Sequence, residues 1–179
     1  MRHLTRALAV TGLFVVAIFG CQQTPSDKIP VTAVSNDSQV VVELLPAEAK
    51  AAVGDTILVS LQVTANRGLS GADVELSFNS DYLQAIAFGD GDAFGPSPLR
   101  GKDHIDNESG LARIALARVG PSELVGPLEA TLATIMFEIV GSPVETEISL
   151  SVARVELVDS DYNIVSDVLT SEAVLSIGQ

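Results

Sequence analysis

Cys21 is the only cysteine among 179 residues, and the only histidines are His3 and His104. A single thiol can build neither an internal disulfide nor a thiolate metal site, so it is a bystander, a reactive group or a point of modification. Carboxylates are plentiful: 23 Asp and Glu stand against 10 Lys and Arg, for a formal charge of −13. A glycosidase would need two of them across a sugar-sized cleft, one with a raised pKa, and the linear order singles out no pair. There is no Gly-x-Ser-x-Gly elbow, phosphate loop or His-Glu-x-x-His. We assign no catalytic residue and expect a non-enzyme. An acidic chain repels phosphate backbones, which makes nucleic acid an unsuitable partner.

Two stretches invite a calcium reading. "DGDAFG" begins with Asp90 and Asp92 and reaches Gly95 at its sixth place, while "DSDYN" carries Asp159, Asp161 and Asn163. An EF-hand loop also needs an oxygen ligand at its fifth place and a Glu at its twelfth. The first stretch has Phe94 and Gly101 there; the second lacks the glycine and ends on Thr170. Both are expected to be tight turns in which Asp and Asn bond their own backbone, with no metal or cofactor on the chain itself.

The position of Cys21 gives the thiol a use. Arg2 and Arg6 precede the apolar run "ALAVTGLFVVAIFG", the layout of a secretory signal peptide. The run is short of the roughly 20 residues that span a bilayer. "IFGC" resembles the bacterial lipobox, with Ile18, Gly20 and Cys21 in place and Phe19 bulkier than usual. That resemblance implies that residues 1–20 are removed and that Cys21 becomes a lipidated N-terminus, holding the protein on the outside of a cell membrane. Residues 21–38 then form the anchor and a flexible tether, polar and interrupted by Pro25 and Pro30. At roughly 3.3 Å per extended residue, such a tether lets a domain stand some tens of ångströms off the bilayer.

From residue 39 to residue 179 the period becomes two. "TILVSLQVT" places Ile57, Val59, Leu61 and Val63 on one face, and "ADVELSF" does the same with Ala72, Val74, Leu76 and Phe78. Such alternation means strands with one buried side. The stretches 40–45, 82–88, 111–119, 133–140, 147–158 and 173–177 continue the series, divided by turn signals such as "FNSD", "NESG" and "DSDYN". "AEAKAA" (47–52) and "LEATLATI" (128–135) have helix-friendly composition. The first is too short to hold as a helix unaided, and both are read as strand or connection. The pattern predicts an all-β fold, a nine-stranded antiparallel β-sandwich with jelly-roll topology.

The order of these segments resembles the cohesin module. The matching features are Gly54-Asp55-Thr56 before a long alternating strand and a Gly68-x-x-Gly71 turn into the next. Phe78-Asn79-Ser80-Asp81-Tyr82-Leu83 follows, and then a late strand carrying Leu132, Ala133, Thr134, Ile135 and Phe137. Asn79 and Ser80 depart from the family's aromatic-Asp-Pro-x-x-Leu pattern, which bears on partner type and affinity. The resemblance implies a binding role: one flat sheet face docks a dockerin, a small helical module that carries the calcium, on another protein. Asp73 matches an acidic position of the family that contacts dockerin. Periodicity independently puts Asp73, Glu75 and Ser77 outward, and likewise Arg113, Ala115 and Ala117; family strand order places both sets on one sheet. The implied surface has small residues at its centre and charges at its rim, acidic enough to steer a basic partner.

Two other readings stand beside this one. A carbohydrate-binding module could share the sandwich, but the chain has no Trp and two Tyr, few rings for stacking on sugar; polysaccharide would then be met only indirectly, through the partner. A structural or self-assembling surface lipoprotein is the third. The anchor is testable by itself: Cys21→Ser should shift the protein from the membrane fraction to the soluble fraction, and unchanged partitioning would refute lipidation.

Overall fold

The computed structural model describes residues 39–101, 103–120, 128–141 and 147–177. Cys21 and the tether, residues 21–38, lie outside the described residues.

Strands form where alternation buries one side. In β3 (Thr56–Ala65) Val59, Leu61 and Val63 are wholly buried between half-buried or exposed Ser60, Gln62 and Thr64. β4 (Leu69–Phe78) buries Ala72, Val74, Leu76 and Phe78, and β8 (Leu111–Ala117) buries Ala112, Ile114 and Leu116. The two helix-friendly stretches are strands, β2 (Glu48–Ala51) and the start of β9 (Leu128–Ile139). No helix occurs among the described residues. Where two adjacent residues are both buried, as Leu132 and Ala133 are, a register shift against Leu61 and Gln62 absorbs the extra residue.

Two sheets result. One has the order β11 (Val168–Thr170), β1 (Val40–Leu45), β3, β9, β5 (Leu83–Asp90). The other runs β2, β12 (Ala173–Ile177), β10 (Glu147–Asp159), β4, β8, β6 (Leu99–Arg100), with β7 (His104–Asp106) also paired to β8. Apart from the β6–β7–β8 run, each successive strand lies in the other sheet, the crossing pattern of a jelly roll. The fold is the expected all-β sandwich, with two differences. There are twelve strands among the described residues, not nine, because β6, β7 and β11 have two or three residues each, too few to show a period. The sheets are also mixed: β1 pairs β11 in parallel and β2 pairs β12 in parallel. The cause is that the first and last segments run side by side and change sheets together. Pro46, which cannot donate to a ladder, marks one crossing. Ser171 marks the other, its N–H bonded to the Val42 carbonyl and its hydroxyl accepting from the Leu44 N–H.

The inward sides of both sheets make one core. The Phe78 and Phe137 rings meet edge to face at 5.1 Å, joining the two layers. The turn that leads into β8 needs Gly110: its φ is +70°, and a Cβ there would sit 2.1 Å from the Phe78 carbonyl oxygen. The β5 edge is closed by side chains from the β6–β8 segment. Asn107 bonds both the N–H and the carbonyl of Ala85, and Arg100 donates to the Phe88 carbonyl while pairing with Asp90 and Asp103. An edge strand left bare would invite pairing with other chains.

Phe137 is wholly buried at this junction. Phe137→Ala should therefore destabilise the domain by about 3–5 kcal/mol, measured by chemical denaturation; a loss under about 1 kcal/mol would show that the two sheets do not depend on it.

Candidate functional site

The sequence singled out Asp73, Glu75, Ser77, Arg113, Ala115 and Ala117, and the fold brings all six to one surface. β4 lies between β10 and β8. With the even-numbered residues of β4 and β8 in the core, Asp73 stands opposite Ala115, Glu75 opposite Arg113 and Gly71 opposite Ala117 on the outer face. Ser77, opposite Leu111, ends the row.

β10 completes this face in a way that alternation along the sequence hides. Its first half buries even positions, Ile148 and Leu150; its second half buries odd ones, Leu157 and Asp159. A register shift between Val152 and Arg154 changes the parity, because one added residue moves every later side chain to the opposite side. Arg154 and Glu156 therefore face outward beside β4, with Glu156 opposite Asp73 and Arg154 opposite Glu75. Sequence reading missed both. The signal was present in "SLSVARVELV", where the apolar positions switch from even to odd.

Asp73 is consequently not a rim charge. It faces Glu156 directly, a like-charged pair that would repel, and two arginines resolve the conflict. Arg113 grips Asp73 with two parallel bonds, Nε donating to Oδ1 at 2.7 Å and an Nη to Oδ2. Arg154 donates to the same Oδ2 at 3.2 Å and lies 3.8 Å from Glu156. The Asp73 side chain is 22% exposed, those of Arg113 and Arg154 43% and 48%. The hydrogen bond from Arg113 holds the Asp73 carboxyl below its ordinary range against the opposing effect of burial, and the charges of both arginines add to it. The same bond raises Arg113. The expected arrangement of small centre and charged rim is thus revised: charge occupies the β10–β4–β8 centre.

The small residues lie towards one end. Gly71, Ala117 and Val158 floor a shallow groove walled by Tyr162 and Gly120. A second groove beside it is lined by Leu99, Gly101 and Ala115. Tyr162 and Leu99 are 78% and 64% exposed. Tyr162 is carried by the "DSDYN" turn, which Asp159 organises by accepting from the Asp161 and Asn163 N–H groups, each at 2.9 Å. Those bonds, Asn163's foremost, lower the Asp159 pKa. In the other acidic stretch Asp92 accepts from the Thr131 N–H at 2.8 Å. Asp159 thus bonds its own turn, as expected, whereas in the first stretch Asp92 ties the turn to β9 and Asp90 pairs with Arg100, so side-chain bonding there reaches outside the turn. His104 is exposed on β7.

The architecture and this solvent-open sheet face define a class, the two-sheet sandwich domain with an exposed lateral face. The chain belongs to the cohesin domain family: residues 42–175 match that family's model. Among curated proteins, none matches this sequence. Solved structures share the fold. A non-cellulosomal cohesin from the archaeon Archaeoglobus fulgidus superposes with a TM-score of 0.63 at 16% identity, over 79% of this chain and 92% of that one. A type II cohesin domain from the cellulosome of Acetivibrio cellulolyticus gives 0.65 at 16% identity, over 76% and 95%. A type I cohesin–dockerin complex from Clostridium thermocellum gives 0.65 at 15%, over 78% and 99%.

The ion-pair hub makes a prediction about pH. A carboxyl depressed on folding contributes stability above its unfolded pKa and loses it as pH falls through the folded value. Asp73 should therefore titrate below 3.8 in a carboxyl-detected NMR titration, and Arg113→Ala should move it upward. An unchanged midpoint in that variant would mean that Arg113 does not hold the carboxylate.

Proposed function

We propose that this chain is a non-catalytic surface lipoprotein whose cohesin domain binds a calcium-loaded dockerin and so displays a dockerin-bearing protein outside the cell. The observation that carries the reading is the outer face of the larger sheet. Asp73, Glu75, Ser77, Arg113, Ala115 and Ala117 share it, half open to solvent, in a family whose solved members include cohesins in complex with dockerins. Its charged centre and apolar end suit a helix laid across strands, with apolar contact in the grooves and polar contact beside them. The calcium belongs to the dockerin. Cys21 supports a lipid anchor, and multiple acyl chains at about 0.8 kcal/mol per buried methylene would hold it durably.

Sugar binding is disfavoured by the placement of the rings. Phe78, Phe88, Phe94 and Phe137 are all buried, and Tyr162 stands out alone. Self-association has one observation in its favour. On the outer side of the smaller sheet, Leu58, Met136 and Ala87 are exposed neighbours across β3, β9 and β5. Concentration-dependent sedimentation would reveal it.

The deciding experiment is affinity capture from the native secretome with the domain as bait. Dockerin-bearing proteins should be retained with calcium and released by a chelator; retention of none, beside binding to insoluble polysaccharide or self-association alone, would end the dockerin reading. Asp73→Lys should weaken a captured complex by about 1–3 kcal/mol, read by calorimetry, and unchanged affinity would remove Asp73 from the site.

A further inference from the structure

The middle of the docking face has spent its acceptor and kept its donors. Asp73 accepts from Arg113 on both oxygens and from Arg154 on one, which leaves that carboxylate little to offer an incoming group. Each guanidinium has five N–H groups. Arg113 uses two of its five on Asp73 and Arg154 uses one, and among the described residues the structure gives the others no acceptor. Both side chains remain more than two-fifths exposed, so water serves those groups in the free protein.

Covering the face removes that water. A guanidinium N–H stripped of water and left unpaired is costly, and a carboxylate is the acceptor whose geometry and charge fit it best. Glu75 and Glu156 lie on the same face, yet Glu75 forms no ion pair with either arginine and Glu156 reaches only to 3.8 Å of Arg154. Within hydrogen-bonding distance, two positive groups share one negative group, while Glu75 and Glu156 act on Arg113 through their charge alone.

We propose that Asp73 is a positioning residue that meets the partner only through Arg113 and Arg154, and that this arginine pair selects dockerins carrying a carboxylate over the middle of the face. The proposal rests on the dockerin reading, and it inverts the polarity that a chain of charge −13 suggests for its partner at this point.

The test uses a display library of one calcium-loaded dockerin, randomised over its exposed helical positions and selected on the intact domain and on its Arg113→Glu/Arg154→Glu variant. Asp and Glu should be enriched on the wild type, and Lys and Arg on the variant. Enrichment of Lys and Arg on the wild type, or identical selections on both, overturns the proposal. With a selected binder, Asp73→Asn should weaken affinity about tenfold in the wild type and by less than about twofold when Arg113 and Arg154 are both Ala. An undiminished Asp73→Asn effect in that background means direct contact and also overturns it. A library yielding no wild-type binder at all refutes the dockerin reading instead, which separates the two failures. Residue enrichment is a readout that a purely structural role for Asp73 would not change.

Discussion

A strand shows its side chains to alternate sides, and in a sandwich one of those sides must be dry. This constraint governs the molecule. From Ala72 onward in β4, and throughout β8, the buried residues occupy even positions, so the odd positions from Asp73 to Ser77 and from Arg113 to Ala117 form an outer surface. β10 can join that surface with Arg154 and Glu156 only because its parity changes between Val152 and Arg154. Without the added residue, Arg154 and Glu156 would point at the core, where unpaired charge is not tolerated. The bulge thus serves both the packing of Leu157 and the composition of the face.

Electrostatics then settles what the face presents. Lateral pairing sets Asp73 against Glu156, and the arginines on either flank converge on Asp73 instead of on the glutamate each directly opposes or neighbours. An exposed ion pair contributes little to stability; a shared carboxylate that orients two guanidiniums has more consequence for recognition, where the direction of N–H groups matters. The apolar grooves at Gly71, Ala117 and Leu99 lie at the end of the same face, which divides the surface into a polar centre and a greasy end. Such a division favours one orientation of an elongated guest over its reverse.

The rest of the fold supports that surface. Phe78, at the end of β4, locks onto Phe137 of the opposite sheet, and Gly110 lets the chain turn tightly against the Phe78 carbonyl before β8 begins. Asn107 and Arg100 close the β5 edge, which keeps lateral pairing away and leaves the broad face as the open surface of this part of the sandwich.

Much of this was legible in the chain itself, for a local reason. Burial of one side prints a two-residue period, so β3, β4 and β8 could be read directly, and with them the outward setting of Asp73, Glu75, Ser77, Arg113, Ala115 and Ala117. Gly and Asn-rich turns marked the ends, and the order of motifs carried the family. What only tertiary structure decided were relations between distant segments. β6, β7 and β11 are defined by the neighbours they pair with, not by a period of their own. The parallel pairing of β1 with β11 joins residues more than 120 positions apart. Arg154 reached the site through a bulge whose partner strand begins 85 positions earlier. Above all, a sequence states that Asp73 is charged and outward; whether that charge is offered to a partner or consumed at home depends on which guanidiniums the fold brings within hydrogen-bonding distance.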